Sequence, residues 1–233
     1  MLSLGRAAGA AALLFSSAAV YGGPDWVEQG DAGSTIGSAQ LVLGLGQIES
    51  IVGTLSSGTA AGTTIGDPGS PPDFEDVYLL RIETPGAFSF QVMNANFDPQ
   101  LFLFNVTIPG EGLGLLANND TPMSMLPFLT SPATDGTGAT VLLPGVYALG
   151  VSGLGRVPVS RTGLIFNFAS PTEVSGPDGL GGTNPLSGWT GVGQTGGYLV
   201  EMTGVGFFDI PAPGGAAVML LGLGVTGGRR RRR

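Results

Sequence analysis

The chain has 233 residues, 42 of them glycine, and carries 17 acidic residues against nine arginines, with no lysine, histidine or cysteine. Those absences exclude thiol nucleophiles, imidazole bases, lysine Schiff bases, the P-loop lysine and the usual zinc ligands, leaving carboxylate, hydroxyl and amide chemistry. All 17 acids lie between Asp25 and Asp209, where Arg81, Arg156 and Arg161 are the only basic residues, so this body has the wrong sign to bind nucleic acid.

The N-terminus, MLSLGRAAGAAALLFSSAAVYGG, has one early positive charge at Arg6, an apolar stretch from Ala7 to Val20 and small residues after it. That layout predicts a secretory signal peptide over 1–22, cut after Ala18 or after Gly22; a buried N-terminal helix is the alternative.

The body, 23–209, reads as short strands separated by glycine and proline turns. Gln40 to Leu43 and Ile48 to Leu55 come first. In DVYLLRIETPGAFSFQV, Tyr78, Leu80 and Ile82 share one face, Thr84-Pro85-Gly86 turns the chain, and Phe88, Phe90 and Val92 alternate with polar residues. This predicts a hairpin with one buried face. LFLFNV (Leu101 to Val106) is a continuous apolar run of core-strand length. VLLPGVYALGV (Val141 to Val151) repeats the strand, Pro-Gly turn, strand pattern; Gly163 to Phe168 and Gly197 to Gly204 add two more strands. No segment of the body has a convincing helical period. The expectation is one all-β domain, a jelly-roll-like β-sandwich that buries one face of each of two sheets.

Few motifs in this body carry chemistry. GxGxxG occurs at Gly191–Gly196 and Gly222–Gly227, but neither follows a strand and opens a helix, so both reflect glycine content. No G-x-S-x-G elbow is present, and a Ser-His-Asp triad is impossible without histidine. Two carboxylates would suffice for a glycosidase, yet no spacing nominates a pair, so the chain is expected not to be an enzyme. Calcium, which takes six to eight oxygen ligands, suits the available chemistry better. The candidate ligands are Asp98 before one strand and Asn118, Asn119 and Asp120 after the next; turn hydrogen bonding is the alternative for these side chains. The sequons at Asn105 and Asn119 matter only in a host that glycosylates them.

Several of these segments also occur together in one family. Asp73 and Asp76 ahead of Val77-Tyr78, the strand PGAFSF, FDPQLFLFN (Phe97 to Asn105), ANND (Ala117 to Asp120) and LPGVYALGVSG (Leu143 to Gly153) are similar to bacterial pre-peptidase C-terminal, or PPC, domains. The resemblance spans roughly Gly30 to Gly153. It implies a non-catalytic β-sandwich of the kind appended to secreted proteins, with Thr162 to Phe208 extending beyond the usual module.

The last segment, 210–233, is IPAPGGAAVMLLGLGVTGGRRRRR. Gly214 to Gly228 would be about 22 Å long as a helix, short of a hydrocarbon core of about 30 Å, so it is marginal as a permanent span. Arg229, Arg230, Arg231, Arg232 and Arg233 would stay cytoplasmic and leave the acidic body outside. The Pro211-Ala212-Pro213-Gly214 motif, the apolar helix and the arginine cluster together resemble the PEP-CTERM sorting segment of exported bacterial proteins, with Ala212 where that family has glutamate. The resemblance implies an exosortase-type membrane protease as partner and a cell-surface or extracellular destination. A different reading is a module that binds extracellular polysaccharide, for which Trp26 and Trp189, the only tryptophans, would need to be exposed.

Overall fold

The computed structural model describes residues 25–58 and 71–209. The expected signal peptide, the Pro-Ala-Pro-Gly motif, the apolar segment after it and the arginine cluster lie outside the described residues. Within them the chain is all-β, with seventeen strands and no helix.

In chain order these are β1 (Asp25–Val27), β2 (Gln40–Leu41), β3 (Leu43–Gly44), β4 (Ser50–Leu55), β5 (Glu75–Ile82), β6 (Ser89–Ala95), β7 (Pro99–Ile108), β8 (Glu111–Asn118) and β9 (Phe128–Leu129). They continue as β10 (Gly145–Gly153), β11 (Val157–Ser160), β12 (Gly163–Leu164), β13 (Val174–Ser175), β14 (Gly188–Thr190), β15 (Gly196–Thr203), β16 (Val205–Gly206) and β17 (Phe208–Asp209). One sheet runs β1-β4-β15-β6-β9 and the other β13-β8-β7-β10-β5-β16, with β2 pairing alongside β5. Most pairs are antiparallel, but β1 with β4 and β2 with β5 are parallel, so both sheets are mixed.

The two sheets stack as a β-sandwich around one apolar core. Ile51, Phe90, Val92, Val200 and Met202 reach into it from the first sheet, and Leu80, Ile82, Leu101, Leu103, Leu149 and Val151 from the second. A second core lies on the other face of the second sheet, where Phe102, Phe104, Val77 and Ala148 meet Ile165, Phe166 and Leu186. Neighbouring residues of a strand point to opposite faces. Leu101 and Leu103 therefore serve one core and Phe102 and Phe104 the other, which is why LFLF shows no polar alternation. The cover over the second core comes from 157–190, including the small sheet β12-β11-β14. Residues 157–209 thus add strands to the same body, and β15 lies at the centre of the first sheet.

Three expectations fail. The ETPG segment does turn, with the Ala87 amide donating to the Thr84 carbonyl at 2.9 Å. However, β5 and β6 do not pair: β5 bonds to β10, β16 and β2, and β6 to β15 and β9. The chain arches from one sheet to the other, so Tyr78, Leu80 and Ile82 pack across the core from Phe88, Phe90 and Val92. Val141 to Pro144 forms no strand, leaving Leu142 and Leu143 exposed, and of Gly163 to Phe168 only the first two residues pair. Ile165 and Phe166 instead plug the second core.

Candidate functional site

At one end of the second sheet a row of polar side chains closes the second core. Ser152 of β10 stands between Glu75 of β5 and Gln100 of β7, and the pairing of Leu101 with Asn118 sets Asn119 beside Gln100. Alternation puts these residues on the face that carries Phe102 and Ala117. One half of the row is satisfied. Arg156 grips Glu75 with two hydrogen bonds, Nε to Oε2 at 2.7 Å and Nη2 to Oε1 at 3.0 Å, and Ser152 Oγ donates to the Arg156 carbonyl at 2.7 Å.

The other half is not. Gln100 and Asn119 are buried, yet Gln100 Oε1 and Asn119 Oδ1 have no hydrogen-bond partner. Oδ1 of Asp98, two residues before Gln100, and Oδ1 of Asp120, next to Asn119, are likewise buried and unpartnered. Burial raises the pKa of both carboxyls above the ordinary aspartate value, and the charge of Asp120 raises that of Asp98 further. The backbone here is well anchored. The Asp98 amide donates to Gln194 Oε1 at 3.0 Å, the Leu154 amide donates to the Asp98 carbonyl at 2.7 Å, and the Asp120 amide donates to the Pro171 carbonyl at 2.8 Å.

Of the residues singled out in the sequence, Asp98, Asn119 and Asp120 therefore fall at one place. Asn118 is a structural clip: its Nδ2 donates to the carbonyls of Asp120 at 3.0 Å and Glu173 at 2.8 Å, and its Oδ1 accepts the Phe128 amide at 2.8 Å. Gln100, two residues after Asp98 and just inside β7, was not singled out.

A second group of acids joins residues distant in sequence. Glu28, Asp73 and Asp76 each place one carboxylate oxygen within 4.8 Å of the others. Glu28 is held by the amides of Ala32 (3.2 Å) and Thr54 (2.8 Å), and Asp73 by paired backbone bonds to Ser56. Asp76 is fully buried; its Oδ2 accepts the Tyr198 hydroxyl at 2.5 Å, Tyr198 also meets Tyr78 at 2.6 Å, and Oδ1 of Asp76 has no partner. Burial, reinforced by the neighbouring acids, pushes Asp73 up to about 7 and Asp76 up to about 9, and burial raises Glu28 as well. At neutral pH this group retains protons. Asp76, sealed beneath Tyr198, is unlike either member of a glycosidase pair, which must reach a glycosidic bond from its two sides.

No protein-family model, curated protein or solved structure matches the chain. Its chemistry is therefore read from its own side chains. Both tryptophans have structural partners: Trp26 packs on the main core and donates to Gln40 Oε1 at 2.9 Å, while Trp189 stands edge-on to Phe102 at 5.3 Å and donates to the Ser34 carbonyl at 2.6 Å. Both rings are partly buried.

Proposed function

We propose that the chain is an exported, non-catalytic bacterial protein, a jelly-roll-like sandwich of PPC type directed to the cell surface or extracellular matrix. A signal peptide over 1–22 starts export. The PEP-CTERM-like segment 210–233 pauses in the membrane as a short helix, where an exosortase-type protease processes it at Pro211-Ala212-Pro213-Gly214.

One observation carries this reading: five consecutive arginines follow an apolar run at the end of an otherwise acidic, lysine-free chain. In a membrane, that arrangement favours the cytoplasmic side for Arg229–Arg233 and the outside for the acids. An exported form, having no cysteine, would depend on its two apolar cores for stability. Among the described residues no helix is long and apolar enough to cross a membrane.

The test is removal of 210–233 in the native host, followed by immunoblotting of cytosol, membrane, cell surface and medium. Loss of the membrane-bound and surface-held forms is expected; an unchanged distribution would overturn the role given to the tail.

A further inference from the structure

We propose that Asp98, Gln100, Asn119 and Asp120 form a calcium site that clamps the open end of the β7–β8 hairpin. Asp98 precedes β7, Gln100 lies at its start, and Asn119 and Asp120 follow β8, so the site joins the chain's entry into the hairpin to its exit. The register of Leu101 with Asn118 sets Gln100 and Asn119 opposite each other, and Asp98 and Asp120 lie next to the same end of the strand pair in the chain.

The first observation concerns the acids. Oδ1 of Asp98 and Oδ1 of Asp120 are both buried without a hydrogen-bond partner. Two carboxylates in this state gain from a cation, and their combined charge balances a divalent one. The second observation concerns neutral groups. Gln100 is 3% exposed and Asn119 is 7% exposed, and each leaves a side-chain oxygen without a donor. A buried acceptor left unmade costs about 1–3 kcal/mol, so such oxygens are rare without a ligand.

The donor set selects the ion. Four side-chain oxygens with no nitrogen or sulfur suit a hard cation and not a zinc-type metal. Calcium accepts six to eight oxygens in irregular geometry, so second carboxylate oxygens and water can complete its shell; magnesium demands a near-ideal octahedron and gives up water reluctantly. Rotation of either amide would turn an NH2 toward the carboxylates, a closed hydrogen-bond network that needs no ion. Calcium titration separates these two arrangements. With two charged ligands, the affinity belongs to the range of extracellular modules, about 10⁻⁴ to 10⁻³ M. A site of that strength fills outside a cell and empties inside one, so the hairpin end would tighten only after export. The metal site itself can be tested without reference to export or sorting.

The experiment is calorimetric titration of the chelator-stripped, full-length protein with calcium chloride, paired with melting in chelator and in saturating calcium. One site in the stated range, with a higher melting temperature in calcium, is expected. D98N and D120N should each weaken binding at least tenfold. In chelator, D98N should melt no lower than the parent protein, because asparagine removes a charge that opposes Asp120. D73N, which alters the other acidic group, should bind as the parent does. Identical melting in chelator and calcium would overturn the proposal, as would binding that survives D98N and D120N but disappears in D73N.

Discussion

Tyr198 of the first sheet donates its hydroxyl proton to Asp76 of the second across 2.5 Å, so a hydrogen bond links the two layers of the sandwich inside the apolar core. Gly53, opposite Tyr198 in the register, makes room for it: a Cβ at Gly53 would collide with the Tyr198 hydroxyl and stand 2.7 Å from that of Tyr78. The contact is deeply buried, and Tyr198 is the donor that Oδ2 of Asp76 has. Y198F keeps the ring and removes the donor. It should destabilise the protein by about 1–3 kcal/mol in urea unfolding, the cost of an unsatisfied buried polar group.

G53A should act on the same contact from the other side. The added methyl must displace either phenol or the β4 backbone, which calls for a loss of about 1–3 kcal/mol. Since the Y198F change frees space beside residue 53 only by one hydroxyl oxygen, the double variant should cost less than the two single changes added together. Denaturation of all four proteins reads that coupling directly.

Stability should also fall as pH rises. Asp73 and Asp76 have an ordinary value of 3.8 and are raised to about 7 and about 9 in the fold. Between the ordinary and the raised values the native state binds more protons than the unfolded chain, so unfolding free energy declines with pH across that interval. Metal-free protein should therefore unfold at higher denaturant near about pH 5 than near about pH 9. D76N, which cannot ionise, should flatten the decline at its alkaline end.

The ion pair at the row's other half predicts a larger effect. Glu75 is held by Arg156 in a two-point contact, and the guanidinium also donates from Nη1 to the Gly191 carbonyl at 2.7 Å. The Glu75 side chain is only 7% exposed, against 21% for Arg156. R156A leaves that carboxylate buried without its cation, for a loss of about 3–5 kcal/mol. E75Q/R156M, which removes both charges, should recover much of it in the same unfolding assay.

The strands themselves were legible because a period of two and the flanking glycine and proline turns are local signals. Their partners were not. DVYLLRI and AFSFQV alternate identically whether they pair in one sheet or face each other across a core; here the central placement of β15, more than a hundred residues later, decides for the arch. LFLF showed that a strand was buried on both faces, while the cover over its second face comes from Ile165 and Phe166, a segment that resembles a strand in sequence and acts mainly as a plug. At the candidate site, Asp98 and Asp120 stood out as acids flanking a strand pair. Gln100 did not, since an amide inside an apolar run carries no signal until its neighbours' lack of donors is known. The approach of Glu28 to Asp73 and Asp76 depends on β1 lying parallel to β4, a long-range pairing with no local signature.

Intact-mass analysis of the protein from each fraction of its native host tests export and sorting together. A protein recovered from the envelope, surface or medium should lack an N-terminal segment ending at Ala18 or Gly22 and should end within or just after Pro211–Gly214. Recovery from the cytosol of a chain that retains both Met1 and Arg233, with no shortened form outside, would contradict the proposed function.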